Sequence, residues 1–278
     1  MNTHSKRKKV TVLDTAQLKH MLLESDYQYF EYGAIVEKID GAVIARMEGL
    51  EEMAAACVVQ RLNLSKISGN AEHWLQATEQ KLKLRGCSYA RFYLTDTPPE
   101  LQNVLRRRGY HSRIENGLIL PCDDKFNAGL NVSDSEISLR AVDNKKLWAL
   151  KLNMHEACQL YPDGHSTKAD QWVDLERRKA NAGLMKPYLI TQNNTVCGAI
   201  SFIACGQLIR LKNLVMHPAF RRQGIGRGAV NHIVKQTCGQ KKKVAGFFAV
   251  KDGKGEMLYK SCGFYPIVCQ QEWIKSLN

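Results

Sequence analysis

One short segment restricts the fold of this chain more than any other, residues 214–230, which read LVMHPAFRRQGIGRGAV. An apolar run stops at Pro218, two arginines follow, and glycines alternate with larger residues through Gly224, Gly226 and Gly228. An apolar pattern with helical spacing then begins, which predicts a helix from about residue 227. The segment is therefore predicted to form a strand, a glycine-rich loop and a helix in succession.

A strand-to-helix crossing of this kind suits an anionic ligand. The N-terminus of a helix presents unpaired N–H groups and a partial positive charge, and glycine lets a phosphate approach the backbone closely. The loop matches neither the Gly-Lys-Ser/Thr ending of a P-loop nor the spacing of a dinucleotide-binding loop. It predicts a pyrophosphate site at Gly224 and Gly226, with Arg221, Arg222 and Arg227 at the rim.

The residues around this segment alternate between strand and helix patterns. Residues 144–182 have helical spacing interrupted at 161–165, and a short helix ends near Cys262. The runs predicted as strands are 136–142, 187–192 and 196–204 (a hairpin), 208–216, 244–250 and 264–274. This alternation predicts an α/β (α+β) fold with a mixed sheet.

The first half of the chain shows a weaker form of the same order of strand and helix patterns. When Gly109 is aligned with Gly263, 154 residues further on, the strand patterns at 90–94 and 244–248 coincide without a gap. Two further segments keep the same register, which predicts an internal duplication.

Between the halves lies a polar segment, residues 122–135, rich in Asp, Asn and Ser and typical of a linker. We therefore predict two domains, residues 1–121 and 136–278, each of a common domain size.

Composition restricts the class of protein. No apolar run among the 278 residues approaches the ~18 residues that span a membrane, and no apolar core of a secretory signal follows the basic N-terminus. The nine cysteines form no CxxC pair, so no zinc site is predicted. We expect reduced thiols, a cytoplasmic location, no metal and no membrane partner.

Two motifs in the second half resemble the GNAT superfamily of acyl-CoA-dependent N-acyltransferases. That family has [Gln/Arg]-x-x-Gly-x-[Gly/Ala] after a strand often ending Val-x-x-Pro, and here residues 215–218 read VMHP and 221–226 read RRQGIG. Its later Leu-Tyr-x-x-x-Gly-Phe stands as LYKSCGF at 258–264. The resemblance covers about 136–278, and its weaker echo in 1–121 suggests a tandem arrangement.

This resemblance implies two GNAT-like domains, each a twisted, mixed, mostly antiparallel sheet flanked by helices. It implies acetyl-CoA as co-substrate, an amine acceptor that attacks directly, and an oxyanion stabilised by a backbone N–H near Val215. Tyr259 would protonate the departing thiolate. The implied cofactor-binding residues are Leu214, Val215, Met216, Arg221, Arg222, Gln223, Gly224, Ile225, Gly226, Arg227 and Gly228.

The sequence departs from the family at the general base. Many members carry a glutamate on the strand before the loop, whereas residues 210–216 contain no acid here. Candidate bases elsewhere are His155, Glu156, Asp163, His165, Asp174, Glu176 and His217. Lys251 and Lys254 are candidate contacts to CoA phosphate. The acceptor is left open between a protein lysine, a protein N-terminus and a small amine, and a homodimer is left open as well.

The first domain is predicted to be a degenerate module. In the gapless alignment Asn70 and Glu72 fall on Gly224 and Gly226, and Leu105 falls on the tyrosine of the second motif. A carboxylate at a phosphate-binding position repels the ligand, and leucine has no proton to donate. The alternative is that this half binds acyl-CoA through altered contacts.

Two other functions stay open. The net charge of +13 lies mostly after residue 130, which fits either an anionic partner or a solvated basic surface. Nucleic acid could use the basic runs at 6–9 and 241–243, but no known nucleic-acid-binding motif is present. A non-catalytic acyl-CoA sensor is the other alternative, because the strand acid is missing. The sequence favours an acetyl-CoA-dependent N-acetyltransferase over both.

Overall fold

The computed structural model describes residues 13–67, 69–122, 137–158, 168–238 and 244–278. Several predicted features lie outside these ranges: the linker beyond Cys122, the helix break at 161–165 and the basic runs at 6–9 and 241–243.

Helices and strands alternate through both halves of the chain. The α-helices of the described ranges are α1 (Thr15–Glu31), α2 (Ala71–Leu84), α3 (Pro99–Arg107), α4 (Lys145–Cys158), α5 (Ala169–Asn181), α6 (Ile225–Cys238) and α7 (Lys254–Ser261). The strands are β1 (Ile35–Ile39), β2 (Ala42–Arg46), β3 (Cys57–Gln60), β4 (Tyr89–Leu94), β5 (His111–Pro121), β6 (Ile137–Ala141), β7 (Met185–Gln192), β8 (Thr195–Cys205), β9 (Leu208–Met216), β10 (Val244–Val250) and β11 (Tyr265–Ser276).

The predicted duplication is confirmed element by element. Helix α1 begins at Thr15 and α5 at Ala169, and α2 begins at Ala71 and α6 at Ile225, each pair 154 residues apart. The same offset relates β5 to β11. The chain therefore contains two copies of one helix and strand order, to which the second adds β6 and α4.

The two repeats exchange their last strands within one sheet. The strand order is β1-β2-β3-β4-β11-β5-β10-β9-β8-β7-β6. Strand β11 thus lies beside β4 of the first repeat, where buried Trp273 packs with Phe92 and Tyr110. Strand β5 lies beside β10 of the second repeat, where Leu118 and Leu120 join the core. Each repeat is therefore completed by a strand from the other, while the division into two domains stays a prediction.

The sheet is mixed and mostly antiparallel, as predicted, with helices on both faces. The parallel pairs of the described ranges are β3 with β4 and β9 with β10. The predicted apolar face of α6, Val230, Ile233 and Val234, is buried against β8, β9 and β10. On the opposite face lie α1, α4 and α5.

The cysteines differ in part from expectation. Cys122 is disulfide-bonded, so the prediction of uniformly reduced thiols is wrong there. The free cysteines of the described ranges are Cys57, Cys87, Cys158, Cys197, Cys205, Cys262 and Cys269. None of the helices in the part of the chain that the structure describes is both long and apolar enough to cross a bilayer.

Candidate active site

Strands β9 and β10 run parallel at first and then separate. Their ladder covers only three pairs and ends where Arg210 faces Gly246. Beyond it, β9 stays paired with β8 as far as Met216, and β10 stays paired with β5 as far as Val250. The two strands therefore leave a wedge in which the edge of β9 has no strand partner within the described ranges.

A bulge in β9 lies beside this wedge. The register of β8 and β9 shifts between Ala199 and Ser201, because β9 contains one extra residue there. Asn213 adopts a left-handed backbone conformation with φ of 53°. Bulges of this kind redirect backbone groups near functional sites, so the strand changes direction where the wedge opens.

The loop after β9 leads directly into α6. His217 Nδ1 accepts a hydrogen bond from the amide of Ala219 at 3.2 Å and caps a short 3-10 turn, Pro218–Phe220. Gly224 follows with φ of 80°, a conformation that disfavours other residues. Helix α6 then begins at Ile225, two residues before the predicted start, because the amide of Gly228 already donates to the carbonyl of Gly224 at 2.9 Å.

The amides of residues 223–227 are the main feature of this loop. None of them donates a hydrogen bond to another group in the described part of the chain. A Cβ added at Gly224 would have no atom within 4 Å, so the space beside it is open. Unpaired amides at a helix N-terminus are a recognised binding site for phosphate.

The three predicted glycines have different surroundings. A Cβ at Gly226 would meet Met216 and Leu258 only at ordinary contact distances of 3.6 and 3.7 Å. At Gly228 it would lie 2.6 Å from Ile137 Cδ1. Gly228 therefore allows α6 to pack closely on β6, whereas Gly224 borders open space.

Positive charge surrounds the open side of the loop. Arg221, Arg222 and Arg227 are exposed, and none of them forms an ion pair within the described ranges. Arg221 Nε donates to the carbonyl oxygen of Met216 at 3.0 Å, so its guanidinium lies at the end of β9. These side chains can pair with a bound phosphate without first breaking a salt bridge.

Tyr259 lies on α7, on the same face of the sheet as α6, and is buried. Its ring stacks on Phe247 with centroids 3.9 Å apart and meets Phe264 edge-on. Its hydroxyl is a buried polar atom without a hydrogen-bond partner in the described ranges. Burial, with a smaller contribution from Cys262, raises the pKa of Tyr259, so the hydroxyl keeps its proton at neutral pH.

Two candidate bases, His155 and Glu176, form one buried cluster with Lys151 and Asn213. Lys151 Nζ lies 2.8 Å from Glu176, and Asn213 Nδ2 donates to the same carboxylate at 2.5 Å. Desolvation raises the pKa of Glu176, but Lys151 and then His155 outweigh it, and the pKa is lowered. An ionised carboxylate that is already paired is a weak base, and here it holds α4 and α5 to the bulge of β9.

The other candidate bases of the described ranges have different surroundings. Asp174 pairs with Arg177 and Arg178 along α5, and Glu156 is exposed. His217 caps its own turn. Asp163 and His165 lie outside the described residues, and no group of three metal-binding side chains occurs in the ranges that the structure describes.

His155 gives a testable pH dependence. Burial lowers the pKa of His155 to about 4, with Glu176 opposing this. Between pH 6.5 and 4 the unfolded chain therefore binds a proton that the folded protein does not. The free energy of unfolding therefore decreases as the pH decreases. We expect wild type to lose about 2 kcal/mol more than His155→Gln between pH 7 and 5, measured by urea unfolding. Exposed His232→Gln should behave as wild type, and equal losses in all three proteins would contradict a neutral buried imidazole.

Comparison with known families agrees with this geometry. A family profile described as an acetyltransferase (GNAT) domain matches residues 186–266. That range contains β9, the glycine loop, α6 and α7. Most of the second repeat thus matches a GNAT domain. No curated protein sequence matches the chain.

Solved structures with the same fold cover both repeats. A GCN5-related N-acetyltransferase from Kribbella flavida has a TM-score of 0.65 at 11% identity, covering 91% of this chain and 94% of its own. A tandem GNAT protein from the clavulanic acid biosynthesis pathway has a TM-score of 0.57 at 10% identity, covering 93% and 88%. A conserved protein of unknown function from Staphylococcus epidermidis has a TM-score of 0.70 at 14% identity, covering 90% and 96%. The chain has a tandem GNAT fold.

The first GNAT repeat differs from the second at the equivalent loop. Asn70 Oδ1 accepts from the amide of His73 at 2.9 Å, so a side chain already caps α2. Glu72 in the first helical turn pairs with Arg108 at 3.0 Å. Leu105, at the position of Tyr259, is fully buried. Within the described part of the first repeat, the free amides, the charge and the hydroxyl of the second repeat thus have no close counterparts.

Proposed function

We propose that the protein transfers an acetyl group from acetyl-CoA to a primary amine on a protein or a small molecule. The single observation that carries this is the row of free amides at residues 223–227, at the end of a wedge between two parallel strands. The family profile at 186–266 and the tandem GNAT fold support it.

The residues present fit acetyl-CoA as co-substrate. The amides of Gln223 to Arg227 would hold the pyrophosphate, and Arg221, Arg222 and Arg227 would neutralise its charge. Gly224 leaves the approach open, since a Cβ there would touch nothing. The edge of β9 from Leu214 to Met216 would hydrogen-bond the pantetheine. Lys251 and Lys254 remain candidate contacts to a further phosphate.

Acetyl-CoA would supply the acetyl group as a thioester, whose thiolate is the leaving group. The Tyr259 hydroxyl would donate its proton to that thiolate, a role that suits a phenol kept protonated by burial. A backbone N–H near Val215 would stabilise negative charge on the carbonyl oxygen during direct attack. Much of the rate enhancement would come from holding both substrates in line within the wedge.

The proposal assigns one catalytic site to each chain. The first repeat carries a capped helix start, an acid in the first turn and a leucine in place of the tyrosine. Its function would be structural, because β5 pairs with β10 and α1 packs against the sheet of the second repeat.

The activity is tested by incubating the protein with acetyl-CoA and three acceptors: a lysine-containing peptide with a blocked N-terminus, a peptide with a free N-terminus, and a small alkylamine. We expect amine-dependent release of free thiol and an acetylated product in the mass spectrum. Acetyl-CoA binding without thiol release with any amine would support the sensor alternative instead. Salt-sensitive nucleic-acid binding without acetyl-CoA binding would favour the nucleic-acid alternative.

A further inference from the structure

The wedge contains a lysine at the place where the ladder between β9 and β10 ends. The last pair is Arg210 with Gly246, and Lys212 is the next residue of β9 on the same face. Asn213, the left-handed residue of the bulge, follows immediately. Lys212 therefore stands where the two strands begin to separate.

Side chains of helix α1, in the first repeat, contact this lysine. The Nζ atom of Lys212 lies 3.8 Å from the ring centroid of Tyr29 and 5.7 Å from that of Phe30. The Asp26 Oδ1 atom lies 3.9 Å away. The Lys212 side chain keeps 15% of its surface exposed, more than the side chains of Asp26 and Arg210 beside it.

The surroundings of Lys212 favour the neutral form of its amine, compared with a lysine in water. Burial lowers the pKa of Lys212 to about 7, and Arg210 acts in the same direction. Asp26 on α1 and Glu115 on β5 oppose this, while Arg91 on β4 adds to it. From α5, Lys179 also faces this region, and burial lowers its pKa to about 7. Unlike Lys212, Lys179 is fully buried and donates to the backbone carbonyls of Tyr29 and Tyr32 at the end of α1.

Tyr259 and Lys212 approach the wedge from opposite faces of the sheet. Tyr259 stacks on Phe247, whereas Arg210, on the face of Lys212, lies 4.6 Å from the ring centroid of Phe248. Successive residues of a strand point to opposite faces. Acetyl transfer needs a proton donor that reaches the leaving sulfur and a separate proton acceptor that reaches the attacking nitrogen, and two groups on different faces can serve these two atoms.

We propose that Lys212 is the general base that accepts the proton of the acceptor amine, in place of the glutamate that the strand lacks. One N–H bond of the acceptor's ammonium breaks as a new N–H bond forms at Lys212 Nζ. The second proton that the nitrogen loses as the amide forms balances the one that Tyr259 gives to the thiolate, and no electron is transferred. Asp26 and Tyr29 then stabilise the Lys212 ammonium until it releases the proton to solvent. The inference rests on the proposed acetyl transfer, and it makes α1 of the first repeat part of the site.

Two variants separate a base from a structural cation. Lys212→Arg keeps the charge beside Asp26 but cannot lose its proton, and Lys212→Met removes the amine with little change in volume. Both should lower kcat about 100-fold or more, remove the limb of the kcat pH profile near pH 7, and leave the Kd of acetyl-CoA unchanged. Lys186→Met, an exposed lysine on β7, is the matched control and should retain wild-type kinetics. Near-wild-type kcat in Lys212→Arg would overturn the proposal.

A readout without turnover keeps the proposal separate from the proposed function. In protein labelled with 13C at the lysine ε position, the resonance missing from Lys212→Met should titrate near pH 7. Titration near 10.4, as for an ordinary lysine, would overturn the assignment even if acetyl transfer is found. Acetylation of Lys212 itself by acetyl-CoA would also overturn it, because the residue would then be an acceptor. Absence of thiol release by wild type with every amine would refute the proposed function and, with it, this role.

Discussion

Tyr259→Phe is expected to lower kcat for acetyl transfer by about 10²–10⁴-fold while leaving the Kd of acetyl-CoA nearly unchanged. The substitution removes only the hydroxyl, and the ring keeps its contacts with Phe247 and Phe264. Because that hydroxyl is buried without a partner in the described ranges, its removal should cost no folding stability. Steady-state kinetics, calorimetry and thermal unfolding of the same preparation measure all three quantities.

The matched control is Tyr188→Phe. Tyr188 stacks on Phe202 in the same core, with centroids 5.5 Å apart, and lies on β7, two strands away from β9. It should retain wild-type kcat. Full turnover in Tyr259→Phe would remove the proposed proton donor, and a large loss of acetyl-CoA affinity would show that the hydroxyl serves binding instead.

Asp26→Ala is expected to lower the free energy of unfolding by about 3–5 kcal/mol. Asp26 Oδ1 lies 2.6 Å from Arg210 Nη2, and Oδ2 accepts from Gln270 at 3.1 Å. Both Asp26 and Arg210 are almost completely buried, so the alanine variant leaves a buried guanidinium without its carboxylate. Denaturant unfolding at pH 7 measures the loss.

The pH dependence of that loss has a definite sign. Desolvation raises the pKa of Asp26, but Arg210 and Lys212 outweigh it and the pKa is lowered. The stabilisation is therefore complete above the unfolded pKa of about 4 and disappears as the pH falls through the lower folded value. Asp174→Ala, which breaks a partly exposed pair with Arg178, should cost at most about 1 kcal/mol. A similarly small loss for Asp26→Ala would contradict a buried pair that joins α1 to β9.

Local patterns in the sequence predicted much of the second repeat. The apolar runs predict β7, β8, β9 and β10 in the correct order. The turn between β7 and β8 is marked by Asn193 and Asn194, which both adopt left-handed backbone conformations. The start of α6 was placed two residues late, since glycines at 226 and 228 resemble a loop. The gapless offset also placed a strand at 90–94, where β4 lies.

The remaining features depend on contacts between residues far apart in the chain. The sequence does not show the exchange of β5 and β11, because the local pattern of a strand does not indicate which neighbouring strand it pairs with. The contact of Asp26 with Arg210 and Lys212 joins α1 to β9 across 184 residues of sequence, and no spacing rule relates such positions. His155 and Glu176 are two of several candidate bases by sequence, and only the structure shows that both are buried and that Glu176 pairs with Lys151.

Calorimetric titration of acetyl-CoA into wild type, Gly224→Glu and Gly86→Glu tests the central claim most directly. Both glycines are left-handed, with φ of 80° and 77°, and neither would place a Cβ within 4 Å of another atom. The two variants thus share backbone strain and added charge, and they differ in location. We expect wild type and Gly86→Glu to bind equally and Gly224→Glu to bind at least about 100-fold more weakly, because a carboxylate would face the pyrophosphate. Equal binding by all three proteins would contradict a diphosphate site at residues 223–227.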